Sequence, residues 1–271
     1  MKIPFFKLHG AKNDFLLTYQ EDAPVSGLPE IAVAICDRYT GIGADGWMLV
    51  DRTPCADPGH NFDASIRLFN SDGSEPELSG NGTRCAAALL AGANPERREF
   101  RIRTGAGIKH LRLLSHSGGR YEFEMNMGEI RVVELNATVQ GRDAVLVDAG
   151  NPQCVMPVRD FDFDWPAVGA ATERDPRFPN RTNVSFVRTV DANTIDVRFW
   201  ERGAGLTNSS GTGSTGAAAA AIARGLVTAP VSVMTPAATL VVRAHNDVLF
   251  LTGPAEMIAE GLYYSFIFVR D

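Results

Sequence analysis

A chain of 271 residues suits one large domain or two lobes of about 130, since a single apolar core stops growing near that size. With 45% hydrophobic and 21% charged residues, a net charge of −6 and a pI near 5.4, the composition is that of a globular protein and excludes a nucleic-acid surface. The lack of a long apolar run or of a secretory leader pattern at the start predicts a cytoplasmic protein with no membrane contact.

A hairpin is predicted first, over 3–8 and 14–18, joined by the turn Gly10-Ala11-Lys12-Asn13. A helix follows near 29–37, then the loop Thr40-Gly41-Ile42-Gly43-Ala44-Asp45-Gly46, whose glycines suit a close backbone approach, and a strand over 47–50. Strands near 64–69, 99–103 and 110–114 surround a helix at 82–91, and Ser117-Gly118-Gly119 is a hinge. The lobes are thus 1–117 and 118–271, with the last strand free to cross back to the first lobe. In the second, strands are predicted at 120–127, 144–148, 154–158, 184–189, 194–199, 231–234, 239–244, 248–252 and 256–269. Helices are predicted at 165–172 and 213–224. The last helix contains five consecutive alanines and is apolar all round, the mark of a buried element. The four cysteines (36, 55, 85, 154) are scattered without a Cys-x-x-Cys pair and read as reduced thiols, mostly buried; the five histidines are equally dispersed, so no metal centre is expected.

One local pattern occurs twice. Ile66–Asn70, eight residues, Ser79-Gly80-Asn81-Gly82 and an alanine run match Val197–Glu201, eight residues, Ser210-Gly211-Thr212-Gly213 and a second alanine run, 131 residues later and without a gap. Asn13 with Asn151, and Asp45 with Asn183, agree on a second offset of 138. The prediction is an α+β fold of two pseudo-symmetric lobes, each a curved sheet or barrel around a central helix. Both helices begin at Gly-rich turns whose free N–H groups favour an anion, and a substrate carboxylate is the natural guest. If the lobes face each other they hold one substrate from two sides, as proton removal on one face and addition on the other requires. Taken singly, each serine reads as an N-cap. Gly211-Thr212-Gly213-Ser214-Thr215-Gly216 also fits a dinucleotide fingerprint, but it follows a nine-residue loop and residues 217–246 contain no acid to hold a ribose.

Gly10–Phe15, Phe69–Ser74, Gly80–Cys85, Gly150-Asn151-Pro152 and Glu201–Gly205, in that order from the first strand onward, resemble the diaminopimelate epimerase family. The resemblance implies two pseudo-symmetric αβ lobes and interconversion of LL- and meso-diaminopimelate for lysine and peptidoglycan synthesis. It also implies a small amino-acid substrate and no pyridoxal phosphate, metal or nucleotide as cofactor; members are often dimers, so a homodimer is expected. By correspondence Asn70, Asn151, Asn183 and Arg202 hold the distal end of the substrate, with Asn13 also matching. Gly80 and Asn81, and Gly211 and Thr212, lie where backbone amides hold the reacting carboxylate, and Glu201 matches the acid beside the second catalytic position. A planar guanidinium gripping a carboxylate is a physical reason for Arg202.

The departures fall on the catalytic positions. The resemblance implies two-base catalysis by a cysteine on each face, and Ser79 and Ser210 stand at both positions. A thiol titrates near about 8.5 and is lowered further at a helix N-terminus, whereas an alkanol is a far weaker acid. Gln153 stands where the family has a histidine assisting the first thiol, and Gly46 where it has a glutamine. Loss of the first thiol together with its helper is the pattern of divergence rather than of a substitution made to trap a complex. Three readings are open: an epimerase, a binder of a diaminopimelate-like ligand without turnover, and a different reaction such as elimination in which Glu201 is the base.

Overall fold

The computed structural model describes residues 1–53, 61–246 and 248–265. By internal packing the chain divides into residues 1–125 with the segment from 254 onward, and residues 126–253. The first unit carries β1 (Lys2–Gly10), β2 (Asn13–Tyr19), α1 (Leu28–Cys36), β3 (Gly46–Asp51), β4 (Ala64–Asn70), α2 (Gly80–Ala93), β5 (Glu99–Thr104), β6 (Gly107–Ser117) and most of β7 (Arg120–Glu129). The second carries β8 (Arg131–Val139), β9 (Arg142–Asp148), β10 (Pro152–Pro157), α3 (Trp165–Glu173), β11 (Asn183–Asp191), β12 (Thr194–Glu201), β13 (Gly205–Thr207), α4 (Gly211–Ala223), β14 (Val231–Met234) and β15 (Thr239–His245). The chain returns to the first unit within β16 (Val248–Tyr264).

In the first unit β1 to β7 follow one another in the sheet, β16 pairs next to β7, and β16 pairs back to β1, which closes a barrel. Helix α2 touches β1, β2, β5 and β6, so it lies inside that barrel, and its residues 81–89 are buried. In the second unit α4 touches β8, β9, β10, β11, β12, β14 and β15 and occupies the same place in its own curved sheet. Alanine and glycine on α4 let those strands approach closely, and most of the helix from Gly211 to Ala221 is buried. The duplication extends to the connections. β2–β3 and β10–β11 are parallel pairs bridged by α1 and α3, and β4–β5 and β12–β14 are parallel pairs bridged by α2 and α4. Parallel neighbours need a long crossover, and here each crossover contains a helix. The outer helices pack on separate cores, α1 against Trp47, Leu49 and Phe69, and α3 against Cys154, Met156 and Phe186.

The glycines of the 40–46 loop approach α1 itself. The amides of Gly41, Ile42, Gly43 and Ala44 donate to the carbonyls of Asp37, Ile35, Ile35 and Cys36 at 2.9–3.1 Å, which satisfies the free end of the helix. A Cβ on Gly41 would stand 2.2 Å from the Ala34 carbonyl oxygen and 2.6 Å from that of Ile35. Gly41→Ala is therefore expected to destabilise the protein by about 1–3 kcal/mol, read as a lower urea midpoint with an unchanged slope.

Three features differ from the sequence reading. β8 was not anticipated: among the described residues it pairs with β9 alone, at the end of the sheet, and no residue in its first half is fully buried, so its apolar signal is weak. The three-residue β13 is too short to leave a periodic signal. The strands expected at 248–252 and 256–269 are one continuous β16, whose pairing passes from β15, up to Thr252, to β1, from Glu256. Gly253-Pro254, between the two expected strands, is where the partner changes, a place that tolerates a residue lacking an N–H. The end of that expected strand beyond 265 lies outside the described residues, as does Cys55.

Candidate active site: two capped helix starts

Ser79 adopts an extended conformation (φ −127°, ψ 117°) before α2, and its Oγ accepts from the Gly82 amide at 3.1 Å. The cap leaves the Gly80 and Asn81 amides without intrahelical acceptors, so they are the donors at this helix start. The Asn81 side chain belongs to a chain of hydrogen bonds with fixed polarity. Arg84 Nη2 donates to Asn81 Oδ1, Asn81 Nδ2 donates to Asn13 Oδ1 at 3.3 Å, and Asn13 Nδ2 donates to Asp45 Oδ2 at 2.6 Å. A guanidinium only donates and a carboxylate only accepts, so neither amide can flip. Arg84 is fully buried, also donates from Nε to the Pro254 carbonyl at 3.2 Å, and is drawn down to about 10 by burial. Asn70 ends β4 and donates from Nδ2 to Ser74 Oγ at 2.9 Å.

Beside Asn13, Asp14 meets Arg38 at 2.8 Å and Lys7 at 3.2 Å, and Arg38 also meets Asp45 at 2.8 Å. Burial pushes the Asp14 carboxyl up, but the hydrogen bonds from Arg38 and Lys7 outweigh it and hold the group below its ordinary value. A carboxylate lowered on folding stabilises the native state above its unfolded value, near 3.8, and loses that contribution as pH falls through the lower folded value. The stability difference between wild type and Arg38→Met is accordingly expected to be full above pH 3.8 and to shrink as acid is added. Urea midpoints across that range check it; because Arg38 is half exposed, salt should reduce the difference.

Ser210 repeats the cap before α4 (φ −138°, ψ 125°), with Oγ accepting from the Gly213 amide at 3.1 Å. It has one partner that Ser79 lacks. Its hydroxyl donates to Glu201 Oε1 at 2.6 Å, whereas among the described residues no carboxylate accepts from Ser79. Burial raises the Glu201 carboxyl above its usual range, and the hydroxyls of Ser210 and Thr207 pull it only partly back. Gln153, buried, donates from Nε2 to Asn151 Oδ1 at 2.6 Å and packs against Gly216; Asn151 Nδ2 lies 3.5 Å from Thr212 Oγ1. Asn183 accepts from the Arg202 amide at 3.0 Å and donates to the Pro152 carbonyl at 3.1 Å, tying the Asn151 turn to the end of β12. The exposed Arg202 guanidinium donates to the Asn180 carbonyl at 3.0 Å, and no carboxylate among the described residues pairs with it. Behind it the buried Glu173 accepts from the Gly203 amide at 3.0 Å and Trp200 Nε1 at 2.8 Å, with Arg181 at 3.3 Å, and these bonds outweigh burial to keep it ionised.

In the first unit a hydrogen bond links Asn81 to Asn13 at the helix start that Ser79 caps, while Asn70 engages Ser74; in the second, hydrogen bonds link Ser210 to Glu201, Asn151 to Thr212 and Asn183 to Arg202. Sequence reasoning missed Arg84, Asp45 and Glu173. The family model described as diaminopimelate epimerase matches residues 5–133 and 145–258. The chain belongs to the diaminopimelate epimerase family. It is 36% identical to the diaminopimelate epimerase of Microcystis aeruginosa, over 97% of this chain and 99% of that one. The corresponding protein of Pelotomaculum thermopropionicum is 34% identical over 96% and 98%. Two solved structures share the fold at low identity. A Bacillus anthracis phenazine biosynthesis protein of the PhzF family has a TM-score of 0.71 and 14% identity over 97% of this chain and 99% of that one. A hydroxyproline epimerase from Agrobacterium vitis, with trans-4-OH-L-proline bound, has a TM-score of 0.68 and 14% identity over 96% and 92%.

Three thiols of this diaminopimelate epimerase family member lie among the described residues, and the buried Cys36 is pushed up to about 12 by its burial. Cys85 and Cys154 are buried, and burial pushes both up to about 12. Among the described residues no helix is long and apolar enough to cross a membrane.

Proposed function

We propose that this chain is a cofactor-independent isomerase that moves the α-proton of an amino acid of the diaminopimelate type, serving lysine and peptidoglycan synthesis. Ser79 and Ser210 stand at the two acid/base positions, with Glu201 behind the second. The observation that carries the reading is the 2.6 Å hydrogen bond from Ser210 to the half-buried Glu201 at the start of α4. Removing an α-proton places negative charge on the neighbouring carboxylate, and the free amides of Gly80, Asn81, Gly211 and Thr212 are donors of the kind that stabilise it. Asn13, Asn70, Asn151, Asn183 and Arg202 hold the rest of the ligand.

Loss of the α-proton signal of LL-diaminopimelate in D2O, followed by proton NMR, is the expected result. A persistent signal at high protein concentration overturns the reading. A second reading, binding without turnover, is favoured by the presence of hydroxyls at both acid/base positions; calorimetric binding with no exchange identifies it, and an unchanged ligand mass excludes elimination. Arg202→Met is expected to weaken diaminopimelate binding by about 10- to 100-fold, the loss of a charge-assisted hydrogen bond. Its thermal stability should stay near wild type, since the exposed guanidinium makes one hydrogen bond to the protein.

A further inference from the structure

Arg202 sits in the turn between β12 and β13, and its backbone is held from two sides. Its own amide donates to Asn183 Oδ1 at 3.0 Å, and the amide that follows, that of Gly203, donates to Glu173 Oε1 at 3.0 Å. Each amide belongs to a planar peptide. Holding the two planes that flank the Arg202 Cα therefore sets its φ and ψ and the direction in which its side chain leaves. The other carboxylate oxygen of the buried Glu173 accepts from Trp200 Nε1 at 2.8 Å. Gly169, one turn before Glu173 on the same face of α3, seats the Trp200 side chain, since a Cβ there would stand 2.7 Å from the Trp200 Cβ. The far end of Arg202 is tied to the same carboxylate by a second route. Its guanidinium donates to the Asn180 carbonyl at 3.0 Å. The next residue, Arg181, has a left-handed backbone (φ 59°), uncommon for a residue with a side chain, and its own guanidinium meets Glu173 Oε1 at 3.3 Å.

We infer that Glu173 is a positioning residue for ligand binding: it holds the Arg202 turn so that the guanidinium is presented in one direction to a carboxylate of the ligand. The inference rests on Arg202 being a ligand-holding residue, as proposed above. A carboxylate suits this place because both of its oxygens face N–H donors, Gly203 and Arg181 on one and Trp200 on the other. Glutamine has the same size but carries one acceptor and one NH2 group, so it must turn the NH2 toward one of those donors and lose that bond. An arginine ordered before the ligand arrives forgoes part of the entropy that a free side chain loses on binding. By Coulomb's law alone, removing the Glu173 charge favours an anionic ligand nearby. A weaker grip after Glu173→Gln thus has the sign of lost geometry, not of lost charge.

The test is calorimetry with diaminopimelate on the wild type, Glu173→Gln, Arg202→Met and the double variant. Glu173→Gln is expected to weaken binding by about 5- to 20-fold in the wild-type background. In the Arg202→Met background it should leave the affinity unchanged within about twofold, because Glu173 acts through Arg202. An equal loss in both backgrounds, as a merely structural role would give, or no loss in the wild-type background, overturns the positioning role while Arg202 remains a ligand residue. Wild-type affinity in Arg202→Met, or no binding of diaminopimelate by the wild type, overturns the ligand reading and the inference with it. Should Glu173→Gln not fold, Arg181→Gly takes its place: glycine keeps the left-handed backbone and removes the ion pair from an exposed side chain. Its expected loss is about two- to fivefold, again only while Arg202 is present, and the same loss in both backgrounds or none in either overturns the inference.

Discussion

Glu201→Gln is expected to slow deuterium uptake by about 100- to 10,000-fold, the range over which a positioned acid/base group contributes, while diaminopimelate binds with nearly wild-type affinity. Glutamine has the size of glutamate, and its amide oxygen can still accept the Ser210 hydroxyl, so the end of β12 and the start of α4 should keep their geometry. What is lost is the capacity to take a proton. Ser210→Ala is a less discriminating change, because it removes the relay and also the cap on the Gly213 amide, for which about 1 kcal/mol of stability is typical. Measuring washout and calorimetric affinity on the same preparation separates chemistry from binding. Wild-type washout in Glu201→Gln would place the base elsewhere.

The second large effect is a gain. Ser79→Cys is expected to speed epimerisation of diaminopimelate by at least about 100-fold. A thiol titrates near about 8.5 before any shift, and the start of α2 lowers it further, so a working fraction of thiolate is present near neutrality where an alkoxide is not. The substitution weakens the cap on the Gly82 amide, and a stability loss of about 1 kcal/mol is expected alongside. Chiral analysis of diaminopimelate is the readout. If the variant epimerises no faster than wild type, the thiol at position 79 does not reach the reacting carbon and the two-position reading fails.

The repeat was legible because it is local. Ser79 and Ser210 both adopt the extended N-cap conformation and both receive the amide three residues on, as short Gly-flanked serines before small-residue helices should. Asn13 and Asn151 likewise lie at or beside the turns of matching hairpins, β1–β2 and β9–β10. Arg84 was illegible as an orienting group, although an arginine inside a helix of alanines signals a buried partner; that partner chain runs through Asn81 and Asn13 to Asp45, and the links to Asn13 and Asp45 join distant segments. Glu173 was hidden because α3 presents it to Gly203 and Trp200, about 30 residues away, and nothing local distinguishes it from a surface acid. The course of β16 depends on which strands lie beside it, so one strand read as two, on either side of the residues where its partner changes.

The closure of the first barrel by β16 has a consequence for how the protein is made. β1 is translated before the second unit, yet its partner along one edge is the Glu256–Tyr264 stretch, translated after the whole of that unit. At about 5–20 residues per second, that edge waits roughly ten seconds to a minute with its hydrogen-bonding groups unpaired. The second unit, continuous in sequence over 126–253, is complete on the nascent chain before the first can close. A ribosome that stalls before Pro254 therefore releases a protein with a finished insert and an open barrel.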